Sequence, residues 1–274
     1  MPLVSQWETT PDRVLLLVCP CRSGSTILLR AFGHAGVPAY FQPIKNARRW
    51  RYEGQEHPWY PPANIEDRAI FMKETFGPFH FEETTYDPLA ELLASNLPAD
   101  RIALVVLLRD PAAVWASWRY YWEGRTSPEV FAQSWAACQR CVGTASTAGV
   151  PSYAMFYEDL CQSPQAELAA LFAVMGREFP LDALEGWDRK PGFGAEGSGV
   201  VLPNEPEAFL TPQAHEPVIR ATGISPMKPA GVISVQENET LMNLGVFDRY
   251  RALSTSLPGT AKCMKQPVED LSHD

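Results

Sequence analysis

The residues best suited to chemistry lie together in Cys21-Arg22-Ser23-Gly24-Ser25-Thr26. They are small, polar and basic, with a glycine that allows close backbone approach, and they stand between an apolar run and a helical pattern. Backbone N–H groups in the first turn of a helix lack intrahelical partners and sit at the positive end of its dipole, so such a loop holds a phosphate or sulfate. A loop serving nucleoside triphosphates with magnesium needs G-x-x-x-x-G-K-[ST]. Here Gly24-Ser25-Thr26 stands where Gly-Lys-Thr would, and the cation, Arg22, comes two residues before the glycine. That composition favours an anhydride other than ATP. The plain alternative is a strand-turn-helix corner in which Ser25 or Thr26 only caps the helix.

Two further places carry candidate groups. Ala69 to Lys73 is a strand-like run that ends in Lys73-Glu74-Thr75, and residues at the carboxyl ends of parallel strands face the ligand crevice of an open α/β sheet. The alternative there is a surface ion pair. Arg101 to Leu108 is a buried-strand pattern followed by Arg109-Asp110-Pro111. Asp110 suits a helix N-cap and Pro111 the first helical position. The strand ends in a cation where a magnesium-binding site would place an acid, so this second anchor also selects an anion.

The elements that must position these groups read as alternating strands and helices. Val14 to Cys19 is six apolar residues bounded by Pro20, the pattern of a fully buried parallel strand. Ile27, Leu28, Phe32 and Ala35 then fall at helical spacing, with Gly36 as the stop. Val37 to Ile44 reads as a short strand broken by prolines, Thr84 to Asn96 as a helix, and Glu239 to Leu253 as an amphipathic terminal helix. Residues 45–68, rich in Arg, aromatic residues and proline, read as a long lid-like loop. Its Lys45, Arg48, Arg49 and Arg51 would steer an anion or form a solvated basic face; Trp50, Tyr52, Trp59 and Tyr60 would line an acceptor pocket or pin the loop to the core. Residues 1–13 are a polar lead-in, 181–235 loops over the site, and 254–274 a mobile tail.

Composition bounds the rest. The chain has 274 residues, 46% of them hydrophobic, enough for one α/β domain with a sizeable core. A net charge of −9 argues against general nucleic-acid binding, so a bound polyanion needs a local cationic cluster. No apolar run approaches the ~20 residues that span a bilayer, and the N-terminus lacks a signal-peptide pattern, so cytoplasm is the expectation. Cys138-x-x-Cys141 lies in a helix-like stretch with no second pair; the six cysteines read as reduced thiols.

Taken together, these residues resemble the sulfotransferases that use 3′-phosphoadenosine 5′-phosphosulfate (PAPS). Cys21-Arg22-Ser23-Gly24-Ser25-Thr26 is similar to that family's P-[KR]-S-G-[ST]-T loop, with Cys21 in place of proline. Arg109 and Ser117 match the arginine and, eight positions on, the serine that bind the 3′-phosphate. Tyr157-Glu158-Asp159-Leu160, followed by Pro164, Leu168, Leu171 and Gly176, resembles the Y-E-D-L segment whose tyrosine lies near adenine. The resemblance spans residues 14 to 180. It implies an α/β fold with a P-loop-type central parallel β-sheet flanked by helices, in a single domain over 1–274. It also implies PAPS as co-substrate, no metal, and in-line sulfuryl transfer to a hydroxyl or amine of a small-molecule acceptor. The cofactor would be held by Arg22, Ser23, Gly24, Ser25, Thr26, Arg109, Ser117 and Tyr157, with Arg22, Lys73 and Glu74 at the reacting centre.

The pattern is incomplete. Lys73 matches the lysine of the family's K-T-H strand end, but Glu74-Thr75 follows it; Phe41-Gln42-Pro43 stands where some bacterial relatives have H-E-P. Glu74 is then the first choice for the base and His80 the second, although a carboxylate beside an ammonium is a weakened base. The late R-K-G-x-x-G loop has only a partial echo in Arg189-Lys190-Pro191-Gly192. Two other readings stay open: a nucleotide-binding scaffold that lost catalysis, and an atypical P-loop kinase. The acceptor and the oligomeric state are not legible in the sequence.

Overall fold

The computed structural model describes residues 2–63, 65, 68–210, 215–216, 218, 220–226 and 231–260. Its centre is a sheet of six parallel strands: β1 (Arg13–Pro20), β2 (Ala39–Phe41), β3 (Ala69–Phe76), β4 (Ile102–Leu108), β5 (Ser152–Phe156) and β6 (Val200–Val201). The order across the sheet is β5-β4-β1-β3-β2-β6. β1 therefore has β3 on one side and β4 on the other, with Val18 level with Glu74 and Val106. The chain reverses its direction of travel across the sheet beside β1, and in open α/β sheets ligands bind outside the carboxyl ends of the strands at such a point. This is the expected α/β architecture.

Helices cover both faces, which explains why the strands are apolar without alternation. α1 (Ser25–His34), α6 (Tyr157–Gln162) and α7 (Pro164–Val174) lie against the face formed by Leu15, Leu17, Cys19, Phe71 and Val105. The opposite face, with Val14, Leu16, Val18, Met72 and Val106, is covered by α2 (Pro43–Tyr52), α3 (Pro88–Ala94), α4 (Pro111–Trp122), α5 (Pro128–Ala148), α8 (Val235–Asn243) and α9 (Val246–Ser256). Asp110 caps α4 through a hydrogen bond from the Ala112 N–H, 3.2 Å long, with Pro111 in the first turn as the sequence indicates. Cys138 and Cys141 are buried on α5 as free thiols, neither in a disulfide. Among the described residues no helix is long and apolar enough to cross a membrane.

Several boundaries differ from the sequence reading. The lid-like loop at 45–68 begins instead as a helix, because residues 43–52 form α2. Beyond it, Trp59 pairs with the N-terminal segment: its N–H donates to the Leu3 carbonyl at 2.8 Å, and its ring meets Trp7 and Tyr40 edge-on at 5.7 Å. The aromatic residue pins the chain, and Leu3, Val4 and Trp7 of the lead-in are buried. Thr84 to Asn96 divides into a 3-10 turn at Phe81–Thr84 and α3, since Pro88 starts the helix behind the Asp87 cap. The expected terminal helix is two helices, broken where Gly245 adopts φ 69°. Residues 254–260 are fixed rather than free, with the Thr260 hydroxyl donating to Glu167 at 2.7 Å and the Ala154 N–H to the Pro258 carbonyl at 2.9 Å. The remainder of the tail, 261–274, lies outside the described residues, as do Cys263 and His273.

Candidate functional site

The anion loop follows β1 directly and is held from every side. The Cys21 N–H donates to the Phe76 carbonyl at the end of β3, 3.1 Å, and its own carbonyl accepts from the Trp118 indole at 2.7 Å. The Ser23 hydroxyl turns back to the Pro20 carbonyl at 2.9 Å, and Arg109 Nη1 donates to the Arg22 carbonyl at 3.0 Å. Arg22 takes φ 70° and Gly24 φ 99°, so two left-handed residues fold the loop into the start of α1. At Gly24 a Cβ would overlap Tyr157 Cδ2, so the ring lies directly against the loop backbone and only glycine fits.

Around this loop the sequence-derived binding residues form one connected cluster. Arg22 Nε donates to Ser117 Oγ at 3.0 Å, and its guanidinium lies 4.3 Å from the centre of the Tyr121 ring. The Arg109 guanidinium lies 4.3 Å from the centre of the Tyr157 ring. Tyr157 thus bridges Arg109 and Gly24, and Ser117 meets Arg22 from α4. Ser25 and Thr26 occupy the first turn of α1, where N–H groups lack intrahelical acceptors.

The carboxyl ends of the strands open into a cavity of about 280 Å³, walled on this side by Arg22, Gly24, Ser25, Thr26 and Tyr157. Arg109 and Ser117 sit behind Arg22 rather than on that wall. Lys73 projects into it, with Nζ donating to Thr26 Oγ1 at 3.0 Å and lying 3.8 Å from the centre of the Phe41 ring. Burial lowers the Lys73 ammonium from its ordinary value to about 7, with Lys45 adding to the effect. An ammonium so poised gains from an arriving anion more than an exposed one does.

Glu74 is not on that wall. Successive residues of a strand face opposite sides, so while Lys73 and Thr75 face the cavity, Glu74 points under α2. There it accepts from the Ile44 N–H at 2.8 Å, the Lys45 N–H at 3.0 Å and the Tyr86 hydroxyl at 2.9 Å, fully buried. Burial pushes its carboxyl up to about 7 against the pull of those three donors. Glu74, expected at the reacting centre as the base, instead caps α2 and lies off the cavity wall. His80 also lies off the cavity, stacked on Tyr52 at 4.3 Å and edge-on to Phe209 at 5.7 Å.

Other cavity residues come from α2 and from downstream segments. Lys45, fully buried, donates to the Gly77 carbonyl, lies 3.4 Å from Cys21 Sγ and 3.7 Å from Glu83. Arg49 bridges Glu83 and Glu205, each at 2.7 Å. Burial works against the Glu83 charge, but Lys45 and Arg49 outweigh it and hold the carboxyl down to about 2. Arg48 and Arg51, by contrast, bond outside the cavity, to Thr85 and Glu56. Gln42 accepts from the Thr75 hydroxyl beside Cys21, and His215 closes the cavity from a later segment. The basic composition at 45–51 signalled Lys45 and Arg49; nothing local marks His215.

Against known proteins, no family model and no curated protein matches the chain. Solved structures do. The sulfotransferase domain of the Synechococcus PCC 7002 olefin synthase is 14% identical and covers 93% of this chain and 100% of its own, with a TM-score of 0.49. Retinol dehydratase with androsterone and the inactive cofactor PAP is 14% identical over 92% of this chain and 83% of its own, with a TM-score of 0.43. Its complex with retinol and PAP gives 14% identity over 92% and 85%, with a TM-score of 0.44. These are likenesses of chain trace at low identity.

Proposed function

We propose that the chain is a sulfotransferase that moves a sulfuryl group from PAPS to a hydroxyl or amine of a small-molecule acceptor. The carrying observation is the connected cluster of Gly24, Arg22, Ser117, Arg109 and Tyr157, in which Arg109 and the loop glycine meet on the Tyr157 ring while Arg22, whose carbonyl accepts from Arg109, is held by Ser117 and faces Tyr121. A nucleotide with anionic groups at both ends suits such an arrangement, since each guanidinium can engage one group while the aromatic ring meets the base. The lack of a loop lysine, and an arginine where β4 would end in a magnesium-holding acid, with the next residue Asp110 engaged as the cap of α4, disfavour the kinase reading.

In this reading the loop N–H groups, Arg22, Ser25 and Thr26 hold the 5′-phosphosulfate, and Arg109 with Ser117 the 3′-phosphate. Ser23 shapes the loop by bonding to Pro20, and Tyr157 lies along the nucleoside. PAPS supplies the activated sulfuryl group and its leaving phosphate. Arg22 stabilises charge developing on that phosphate, and Lys73, beside Thr26, follows the sulfuryl oxygens. The cavity's farther wall, with Phe79, Trp122 and Gln42, receives the acceptor and keeps water out. No residue in the sequence of steps requires a metal.

The test is incubation with PAPS and a panel of phenols, aliphatic alcohols and amines, following release of 3′-phosphoadenosine 5′-phosphate (PAP), alongside ATP with magnesium. Acceptor-dependent PAP release is the expected result. Magnesium-dependent ATP turnover would replace this reading by the kinase, and tight PAP binding without transfer by the scaffold.

A further inference from the structure

With Glu74 turned under α2 and His80 outside, the cavity still contains a group suited to accept a proton. His215 lies on its wall, its ring edge-on to Phe41 at 5.2 Å. Phe41 carries Lys73 Nζ on its face at 3.8 Å, so imidazole and ammonium meet around one aromatic ring. His215 Nδ1 is buried and has no hydrogen-bond partner among the described residues. A buried polar atom without a partner is uncommon and calls for an explanation such as a ligand. The other proton-accepting groups on the wall are engaged, Glu205 with Arg49, Cys21 with Gly77 and Thr75, and Lys73 with Thr26 and the Phe41 ring, where it is placed to meet the sulfuryl oxygens.

The segment bearing His215 is also anchored to the anion site. Arg30, buried on α1, donates from Nη1 to the carbonyls of Val218 at 2.9 Å and Ala221 at 2.7 Å. Its Nη2 donates to the Trp187 carbonyl at 2.9 Å, and the guanidinium lies 4.8 Å from the centre of that indole ring. The helix whose start would receive the phosphosulfate therefore also fixes the chain three residues after His215.

We propose that His215 is the general base of the transfer reaction, and this rests on the sulfotransferase reading above. The acceptor O–H or N–H gives its proton to His215 Nδ1 as the new bond to sulfur forms. The bond from sulfur to the 5′-phosphate oxygen breaks, and its electron pair leaves with PAP. No oxidant or further reactant is required. Burial, then Lys73, Arg22, Arg49 and Lys45, lower the imidazole from its ordinary value to about 3. Glu205 and Arg220 complete the charged groups of the cavity. The ring is neutral before nucleotide arrives, and anions placed on Lys73 and Arg22 offset the cationic field and raise its basicity.

Three variants test this: His215→Gln, His215→Ala with and without added imidazole, and His80→Gln as a control outside the cavity. Calorimetry with PAP is read separately from consumption of PAPS with the acceptor panel and with water. PAP affinity in His215→Gln is expected within about threefold of wild type, while PAPS consumption falls on the order of a hundredfold or more and imidazole partly restores the alanine variant. The His80→Gln control keeps its turnover. Near-normal consumption by His215→Gln overturns the assignment, as does a wild-type chain that binds PAP yet consumes no PAPS. Failure of the wild-type chain to bind PAP refutes the reading of the whole site, and with it the role of His215.

Discussion

Replacing Glu74 separates its structural role from a catalytic one. Its carboxylate takes the N–H groups of Ile44 and Lys45, the otherwise orphaned donors at the start of α2, and the Tyr86 hydroxyl. In Glu74→Ala all three buried donors lose their acceptor, at about 1–3 kcal/mol each. Water entering the space left by the side chain recovers part of this, so the net loss is about 3–5 kcal/mol, or on the order of 10 °C in Tm. Glu74→Gln retains one carbonyl oxygen for one donor and loses about 1–3 kcal/mol. Linkage fixes how the difference between wild type and Glu74→Gln varies with pH. The folded-state carboxyl is raised from 4.5 to about 7, so the native state holds the proton more tightly than the unfolded chain. That contribution is fully present below 4.5 and is lost as pH rises to about 7, so the advantage of wild type over Glu74→Gln shrinks across this window. Thermal denaturation across pH gives the stabilities, and PAPS consumption by the folded Gln variant gives its turnover, expected within about fivefold of wild type. A Glu74→Gln chain with wild-type stability and a hundredfold lower rate would refute the capping role and restore Glu74 as the base.

The other variants test the anion site itself. Lys73, lowered to about 7, regains its proton when an anion arrives, so calorimetry of PAP binding near pH 8 in buffers of different ionisation enthalpy should show proton uptake, largely abolished in Lys73→Met. Arg22→Ala should lower turnover on the order of a hundredfold or more through lost stabilisation of the leaving phosphate; nearly intact turnover would count against its placement. Gly24→Ala forces a Cβ into the Tyr157 ring at φ 99° and should cost about 1–3 kcal/mol of stability and weaken PAP binding. Gly24→Ala combined with Tyr157→Ala should regain stability but not affinity, as judged by denaturation and calorimetry.

How much the sequence disclosed depended on the range of the interactions involved. β1, the anion loop and α1 are contiguous and carry local signals, an apolar run and then helical spacing, as do β4, Asp110 and α4. The start of α2 is hidden because its N-terminal N–H groups are satisfied by Glu74, some 30 residues on, while Gln42 in the cap position gives no side-chain cap. Without a Ser, Thr, Asp or Asn before the pattern, and with aromatic and proline residues after it, the stretch reads as a loop. The same long-range bond hides the placement of Glu74: its strand-end position points to the crevice, but the pleat turns it to the opposite face. His215 carries no local signal: among the described residues its segment is held to α1 by Arg30, through the carbonyls of Val218 and Ala221, contacts across 188 and 191 residues that no sequence pattern marks.

The 3′-phosphate distinguishes the proposed function from any other nucleotide-binding reading, because Arg109 and Ser117 are assigned to it in that proposal. The decisive measurement is calorimetric binding of PAP, 5′-AMP and ATP with magnesium to the wild-type chain and to Arg109→Ala. PAP is expected to bind wild type at least about tenfold more tightly than 5′-AMP, since a charge-assisted bond to phosphate contributes about 1.5–3 kcal/mol. Arg109→Ala should erase most of that difference. Equal affinity for PAP and 5′-AMP in wild type, or tighter binding of ATP with magnesium, would contradict it.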